Sequence, residues 1–431
     1  AFLDYFAHTI EVQEEILYHY PGNEPLKDMI LVVEPQRYSG VFQLHKLEVD
    51  GVDRRNDYLL DANQIKLLLE PPLESGRELA FSLAYRLNLP SPTPNPLTRP
   101  IPFGYTARQT NLVDWYPYIP PYVPGIGWLA HYAGYYGEHQ VYDSADFNVT
   151  IQMAETSQNL TIAASSIPKI SENTYRYQMP SARNFSFSVS HDYQVITSTV
   201  DNVAIYSYAF PVHSAANHSV LENTSKALKL YNELFGPYHR TSLTVVEADF
   251  LDGMEFDGLY FLSTGFYNLF TGEPGEYLVA IAAHETAHQW WYGMVGNDQA
   301  LEPWLDEALC TYSERLFYEN IYPDALDWWW SYRINYYQPS GPVDDTIYNP
   351  RGESEAYRSY RDAVYLNGAL FLEDLRLTLG DMVFFDFLKD YWKRHQYQIA
   401  TTSSFFSLLK EHTDADLSPL VREYFQAIKS P

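Results

Sequence analysis

The chain has one cysteine, Cys310, so no disulfide can form within it and its fold must rest on burial and hydrogen bonding. Basic residues are scarce. Against 28 Lys and Arg stand 55 Asp and Glu, a formal net charge of −27. Phosphate backbones are bound by clustered Lys and Arg, so nucleic acid is excluded as a general partner. The surplus suits a solvated acidic surface and cationic partners. No run of 18 or more apolar residues occurs, so no segment reads as membrane-spanning. The chain starts at Ala1 with no signal-like stretch. Charged residues make up 19% and hydrophobic ones 46%, which excludes a disordered chain. The 38 Tyr and 9 Trp suit large cores and wide apolar clefts. Five glycosylation sequons, at Asn148, Asn159, Asn184, Asn217 and Asn223, have meaning only in a secretory pathway, and the reading leans to an extracytoplasmic, soluble chain.

With 431 residues there is room for two or three full-sized domains. Short apolar runs at Met29–Val33, Phe42–Val49, Gln64–Leu69 and Leu79–Leu87 read as strands. Turn-like stretches separate them. Further runs follow at Phe147–Gln152, Leu160–Ala164, Thr174–Gln178, Phe185–Val189 and Val203–Phe210. Strands at this spacing predict an antiparallel β domain. Pro-rich stretches at Leu89–Pro102 and Ile119–Gly127 read as its loops. From about 215 the period becomes helical. Ser219–Phe235 ends at Gly236-Pro237, a stop signal, and helices are expected near 275–296, 303–319, 323–335, 354–379, 381–394, 401–411 and 417–429. The fold class is therefore α+β, with a β domain over 1–215 and a mainly helical domain over 216–431.

Within the helical part, His284-Glu285-Thr286-Ala287-His288 is an H-E-x-x-H motif. Spacing of four places both imidazoles on one helix face, where they can share a metal. Two exposed histidines on a polar face would be the plainer reading. The flanking Val279-Ala280-Ile281-Ala282-Ala283 and Gln289-Trp290-Trp291 argue against an exposed helix. Catalytic zinc takes a third protein ligand and keeps one position open for water. Glu307, on the next predicted helix, is the candidate third ligand, and Glu285 is the candidate base for that water. Cys310 reads as a buried, inert thiol. Glu314, seven residues after Glu307 on the same helix face, reads as a solvated helix glutamate, with support of the metal site as the alternative.

These residues carry a resemblance. H-E-x-x-H followed by Glu307 in Trp304-Leu305-Asp306-Glu307 is similar to the zinc aminopeptidases of the aminopeptidase N and leukotriene-hydrolysing type, which are gluzincin metallopeptidases. Asp252-Gly253-Met254-Glu255-Phe256 resembles their Gly-x-Met-Glu-Asn segment, and Tyr365-Leu366-Asn367-Gly368 their Tyr-x-x-Gly segment. Asn111–Pro117 resembles a stretch of their N-terminal β domain. The resemblance implies a thermolysin-like catalytic domain with one zinc ion per chain on His284, His288 and Glu307. It further implies Glu285 as base, Tyr365 as donor to the oxyanion, and Glu255, with Gly253 and Met254, as the substrate-amine subsite. Peptide is the implied substrate.

The chain also departs from that pattern. Asp252 stands for the first Gly of the amine segment, Phe256 for its Asn, and Asn367 for a Lys. No residue of the β region is assigned to the family's substrate-binding Gln. The chain ends 66 residues after Tyr365, so the family's large C-terminal helical domain is expected to be absent. Three rivals to the aminopeptidase stand beside it: a zinc endopeptidase with an open cleft, an epoxide or ester hydrolase on the same site, and a non-catalytic peptide-binding module.

Overall fold

The computed structural model describes residues 1–92, 102–134, 136–155, 160–349 and 356–427, and the chain divides into two compact units. The first holds the described residues up to 92, together with 102–132 and 141–192. The second holds 133–140 and everything from Tyr193 onward. The division thus falls before residue 215. The reason is that Gln194–Val200 and Val203–Ala209 join the sheet of the second unit.

The first unit is built on an eight-stranded sheet with a three-stranded and a four-stranded sheet beside it. Its spine pairs Thr9–His19 antiparallel with Glu78–Asn88, which in turn pairs with Phe42–Val49. Along Glu78–Asn88 the residues Leu79, Phe81, Leu83, Tyr85 and Leu87 alternate inward and are buried. That is the period of two of a strand with one wet face. Thr9–His19 was not legible as a strand, because Glu11, Glu14 and Glu15 interrupt its apolar residues. The sequon Asn148 is exposed; Asn184, Asn217 and Asn223 are buried, so a glycan on those three is incompatible with this packing. Asn159 lies outside the described residues.

In the second unit β1 (Gln194–Val200), β2 (Val203–Ala209), β3 (Ser242–Ala248), β4 (Gly253–Phe256) and β5 (Leu259–Ser263) form a sheet in the order β1-β2-β3-β5-β4. β4 runs antiparallel to β5 and is an edge strand. Helix α1 (Ser214–Leu234) and helix α2 (Tyr277–Ala287) pack on each other, and α2 packs on α3 (Trp304–Ile321). Every residue of α2 after Tyr277 is buried, as expected of a helix apolar on all sides. The helix expected over 275–296 stops at Ala287. His288 is its C-cap, and the chain then turns so that Trp290 and Trp291 enter the core. The segment expected as one helix over 323–335 is a short α turn, Leu326–Trp328, followed by a π-helical turn, Trp329–Ile334. A second π-helical turn, Asp362–Asn367, leads into α4 (Gly368–Leu379).

Gly368 decides how closely α4 can approach α3. A Cβ built on it would overlap the Cβ of Ala308, the neighbour of Glu307. Gly368→Ala is therefore expected to destabilise by about 1–3 kcal/mol through overpacking, lowering the thermal midpoint by about 2–12 °C. Leu377→Ala on the exposed face of α4 should leave the midpoint within about a degree or two. Equal midpoints for the two variants would show that α4 can move aside freely.

Candidate functional site

Helix α2 ends by presenting both motif histidines to α3. The Nε2 atoms of His284 and His288 lie 3.1 Å apart, and Glu307 Oε2 lies 3.2 Å from the first and 3.6 Å from the second. His284, His288 and Glu307 are 4%, 1% and 2% exposed, so water contributes little to neutralising them. Two ring nitrogens and a carboxylate oxygen converging in a dry region need a cation between them. The outer nitrogens fix which lone pairs face inward. His284 Nδ1 bonds Glu314 Oε1 at 2.8 Å, and His288 Nδ1 faces Trp291 O at 3.2 Å. When each Nδ1 carries the proton, both Nε2 lone pairs point at the centre, which is the second-sphere arrangement of metal-binding histidines. N, N and carboxylate O donors fit zinc.

Glu314 is not the solvated helix glutamate expected from the sequence. It is fully buried, and besides His284 it accepts from Trp329 Nε1 at 2.9 Å and from Arg333 at 2.8 and 2.9 Å. Burial works against its ionisation, but Arg333 and His284 outweigh it and hold its carboxyl below the usual range. For His284, burial disfavours the charge while the bonds to Glu307 and Glu314 more than restore it, raising its pKa to about 9. Cys310 is buried, with its Sγ 3.8 Å from Trp291 O, and burial pushes its thiol pKa well up.

The Glu285 carboxylate lies against Gly253 of β4. Glu285 is 4% exposed, and Oε2 has no hydrogen-bond partner among the described residues. Burial raises its pKa well above the carboxylate range; His288 opposes this, and Glu255, Glu307 and Asp252 add to it. A Cβ on Gly253 would overlap the Glu285 carboxylate. Glycine at the start of β4 is therefore what lets the edge strand reach Glu285. Met254 and Glu255 follow on β4, and both are buried. Glu255 Oε1 accepts from Gln299 Nε2 at 3.0 Å, and the same amide donates to Asp306 Oδ2 at 3.0 Å. Tyr365 donates its hydroxyl to Glu307 Oε1, and its ring stacks near-parallel to His284 at 6.2 Å.

All eight residues singled out in the sequence therefore meet in one region. Sequence reasoning missed Glu138, which is 5% exposed and brings a carboxylate oxygen within 4.8 Å of those of Glu255 and Glu307. Its segment, 133–140, belongs to the second unit although it interrupts the first in the chain, and no motif marked it. Asp252, the departure from Gly, holds φ +104° and accepts from Gly253 N and Tyr357 OH, both at 3.0 Å. Those two bonds hold an aspartate in backbone that favours glycine.

Removing Glu314 would leave the Arg333 guanidinium buried without its carboxylate. Glu314→Leu is expected to cost about 3–5 kcal/mol, and the double variant with Arg333→Met less than that. Denaturant unfolding of chelator-treated protein checks this without a metal contribution. An unchanged midpoint in the single variant would mean that the guanidinium has another partner.

Residues 219–424 match the peptidase family M1 domain. Aminopeptidase N of Lactobacillus helveticus is 24% identical over 302 residues, 65% of this chain and 36% of that protein. Leukotriene A-4 hydrolase of Xenopus laevis is 26% identical over 207 residues, 44% of this chain and 33% of that protein. The chain thus spans about a third of the length of these curated relatives. The crystal structure of an M1 zinc metallopeptidase from Deinococcus radiodurans superposes with a TM-score of 0.68 at 18% identity, covering 100% of this chain and 93% of that one. The shared fold is an N-terminal β region followed by a mainly helical region. Over residues 219–424 the chain is thus similar to the peptidase family M1 domain, and over a longer stretch to an aminopeptidase of greater length.

Proposed function

We propose that the protein is a zinc metallo-aminopeptidase, binding one zinc ion per chain and hydrolysing the first peptide bond of a free-amine peptide. The observation that supports it most is the placing of two kinds of carboxylate around one centre. Glu307 joins the histidines, while Glu255 and Glu138 stand close by with their oxygens within 4.8 Å of those of Glu307. His284, His288 and Glu307 would hold the zinc, which when bound lowers the pKa of water and polarises a carbonyl.

The chain's own groups carry the other steps. Glu255 and Glu138 bind the α-ammonium of the substrate, and each charge-assisted hydrogen bond of this kind contributes about 1.5–3 kcal/mol. This fixes the first carbonyl a single residue from the amine, so an internal bond is out of register. Glu285 takes the proton of the attacking water and delivers it to the departing nitrogen. Tyr365, whose hydroxyl reaches Glu307, donates that hydroxyl to the oxyanion as it forms. Desolvation by the surrounding burial strengthens each of these contacts.

The deciding experiment follows one peptide in two forms, free and N-acetylated, by mass spectrometry with zinc-loaded protein. Stepwise loss of N-terminal residues from the free form alone is the expected result; internal cuts in both forms would overturn the amine anchor in favour of an endopeptidase. Glu255→Ala should lower kcat/KM on the free peptide by about 10- to 100-fold, the loss of one such bond. Equal losses on blocked substrates would remove it as anchor.

The metal set and the base separate by assay. Glu285→Gln is expected to keep its zinc and lose about 10²–10⁴ in kcat. Glu307→Ala should lose zinc on dialysis against a chelator faster than wild type. Normal turnover in the first, or undiminished zinc content in the second, would withdraw the assigned role.

A further inference from the structure

Helix α2 carries the metal-binding histidines at one end and opens an aromatic pocket at the other. The pocket holds about 290 Å³ and is lined by Tyr277, Trp328, Tyr332, Tyr336 and Tyr337 together with Glu276. Tyr332 and Tyr336 are 57% and 71% exposed, so core packing does not account for them. The rings are nonetheless held in place. Tyr277 donates to Tyr332 O at 3.2 Å and lies 2.9 Å from the Tyr337 hydroxyl, and its ring meets Trp328 edge-on at 5.8 Å. Trp328 immediately precedes the π-helical turn whose Trp329 and Arg333 are bound by Glu314. The pocket wall and His284 therefore share one buried carboxylate.

The chemistry of the pocket is that of a cation site. Glu276 is 8% exposed; its Oε2 accepts from Thr271 N at 2.8 Å and from Thr271 Oγ1 at 2.6 Å. Its Oε1 is buried with no hydrogen-bond partner among the described residues. A buried carboxylate oxygen lacking a donor is uncompensated, and an arriving cation compensates it. Aromatic faces attract cations as well, and one ring here already holds one: the Arg361 guanidinium lies over Tyr337 at 4.0 Å. Neither nearby arginine satisfies Glu276. Arg361 pairs with Asp362 at 2.6 Å, and Arg333 is taken up by Glu314.

The direction of the substrate brings it there. Gly253 at the start of β4 lies against Ile281 and Glu285, and Glu255 lies by His288, so β4 runs alongside α2 in the same sense. A peptide with its amine at Glu255 then runs back past Gly253 toward the first turn of α2, antiparallel to this edge strand. Tyr277 is seven residues before His284, about 10 Å along the helix, which an extended peptide covers in about three residues. We propose that the pocket binds a lysine or arginine side chain of the peptide, about three residues beyond the bond that is cut. This rests on the aminopeptidase reading for the direction of the chain.

Calorimetric titration tests it with the zinc-loaded Glu285→Gln protein, which holds peptide without consuming it. The probes are alanine hexapeptides with lysine at the third, fourth or fifth residue, and the same peptides with norleucine there. Lysine is expected to bind about tenfold tighter than norleucine at one of these positions. Adding Glu276→Gln or Tyr336→Ala should reduce that ratio to below about threefold. Tyr336 is exposed, so its variant keeps the test sound should Glu276→Gln fail to fold. Equal affinities, tighter norleucine, or a preference that survives in Tyr336→Ala would each overturn the proposal. Failure of the wild type to shorten any free-amine peptide would instead strike the aminopeptidase reading, while these affinities would still decide whether the pocket takes a cation.

Discussion

Six carboxyl groups, two imidazoles and one guanidinium are buried together around the end of α2, and this excess of acid is the constraint on which the site depends. Glu138, Glu255, Glu285, Asp306, Glu307 and Glu314 are each 5% exposed or less. Burying unpaired charge costs several kcal/mol per ion. Protons answer part of the excess: burial raises Glu285 and Asp306 well above the carboxylate range, while Glu307, opposed by burial, is held low by its bonds to the two histidines. The rest of the balance calls for cations from outside. A divalent ion between the histidines and an ammonium beside Glu255 and Glu138 are the two charges that a metallo-aminopeptidase gathers.

The same argument separates the roles of similar residues. Glu307 and Glu314 lie seven apart on one face of α3, and both touch His284. Glu314 faces a permanent cation, Arg333, and so stays ionised and serves to orient the ring. Glu307 meets the imidazoles and the Tyr365 hydroxyl and pairs with no Lys or Arg among the described residues, so its charge is available to a metal. Glu285 is turned to β4 instead, where Gly253 leaves room for it. Three glutamates within thirty residues thus differ in function by their nearest positive charge.

Motif spacing reported the part of the site that lies on one element. His284, Glu285 and His288 are fixed by helical geometry, and Glu307 by the need for a third ligand on the next helix. Apolar periodicity reported most strands of the first unit, since alternation such as Leu79, Phe81 and Leu83 depends on one wet face. What was illegible came from long range. Glu138 sits in a segment whose flanks belong to the other unit, and its acid is one of 55. Glu314 shares the helix face of Glu307, but its partners His284, Trp329 and Arg333 come from other elements and local pattern does not mark them. The strands that join β3 across the expected boundary look, in sequence, like the strands before them. The domain division therefore depends on pairing, which local pattern does not encode.

The π-helical turn before α4 shows how the missing geometry is supplied. In an α-helix residues five apart point about 140° away from each other, since each step turns about 100°. Tyr360 and Tyr365 are five apart, yet their rings meet edge-on with centroids 6.0 Å apart. The π-helical turn over Asp362–Asn367 makes this contact, because widening the ring by one residue brings i and i+5 onto one side. Tyr365 is thereby aimed at Glu307, and three residues on Gly368 reaches the same side to meet Ala308. Trp329 and Arg333 are four apart, which places them on one side of an α-helix as well, and both meet Glu314. The turn over Asp362–Asn367 gives up regular helical bonding to place Tyr365 beside Tyr360 and against Glu307, and an unbroken α-helix over 354–379 would have pointed the two rings about 140° apart.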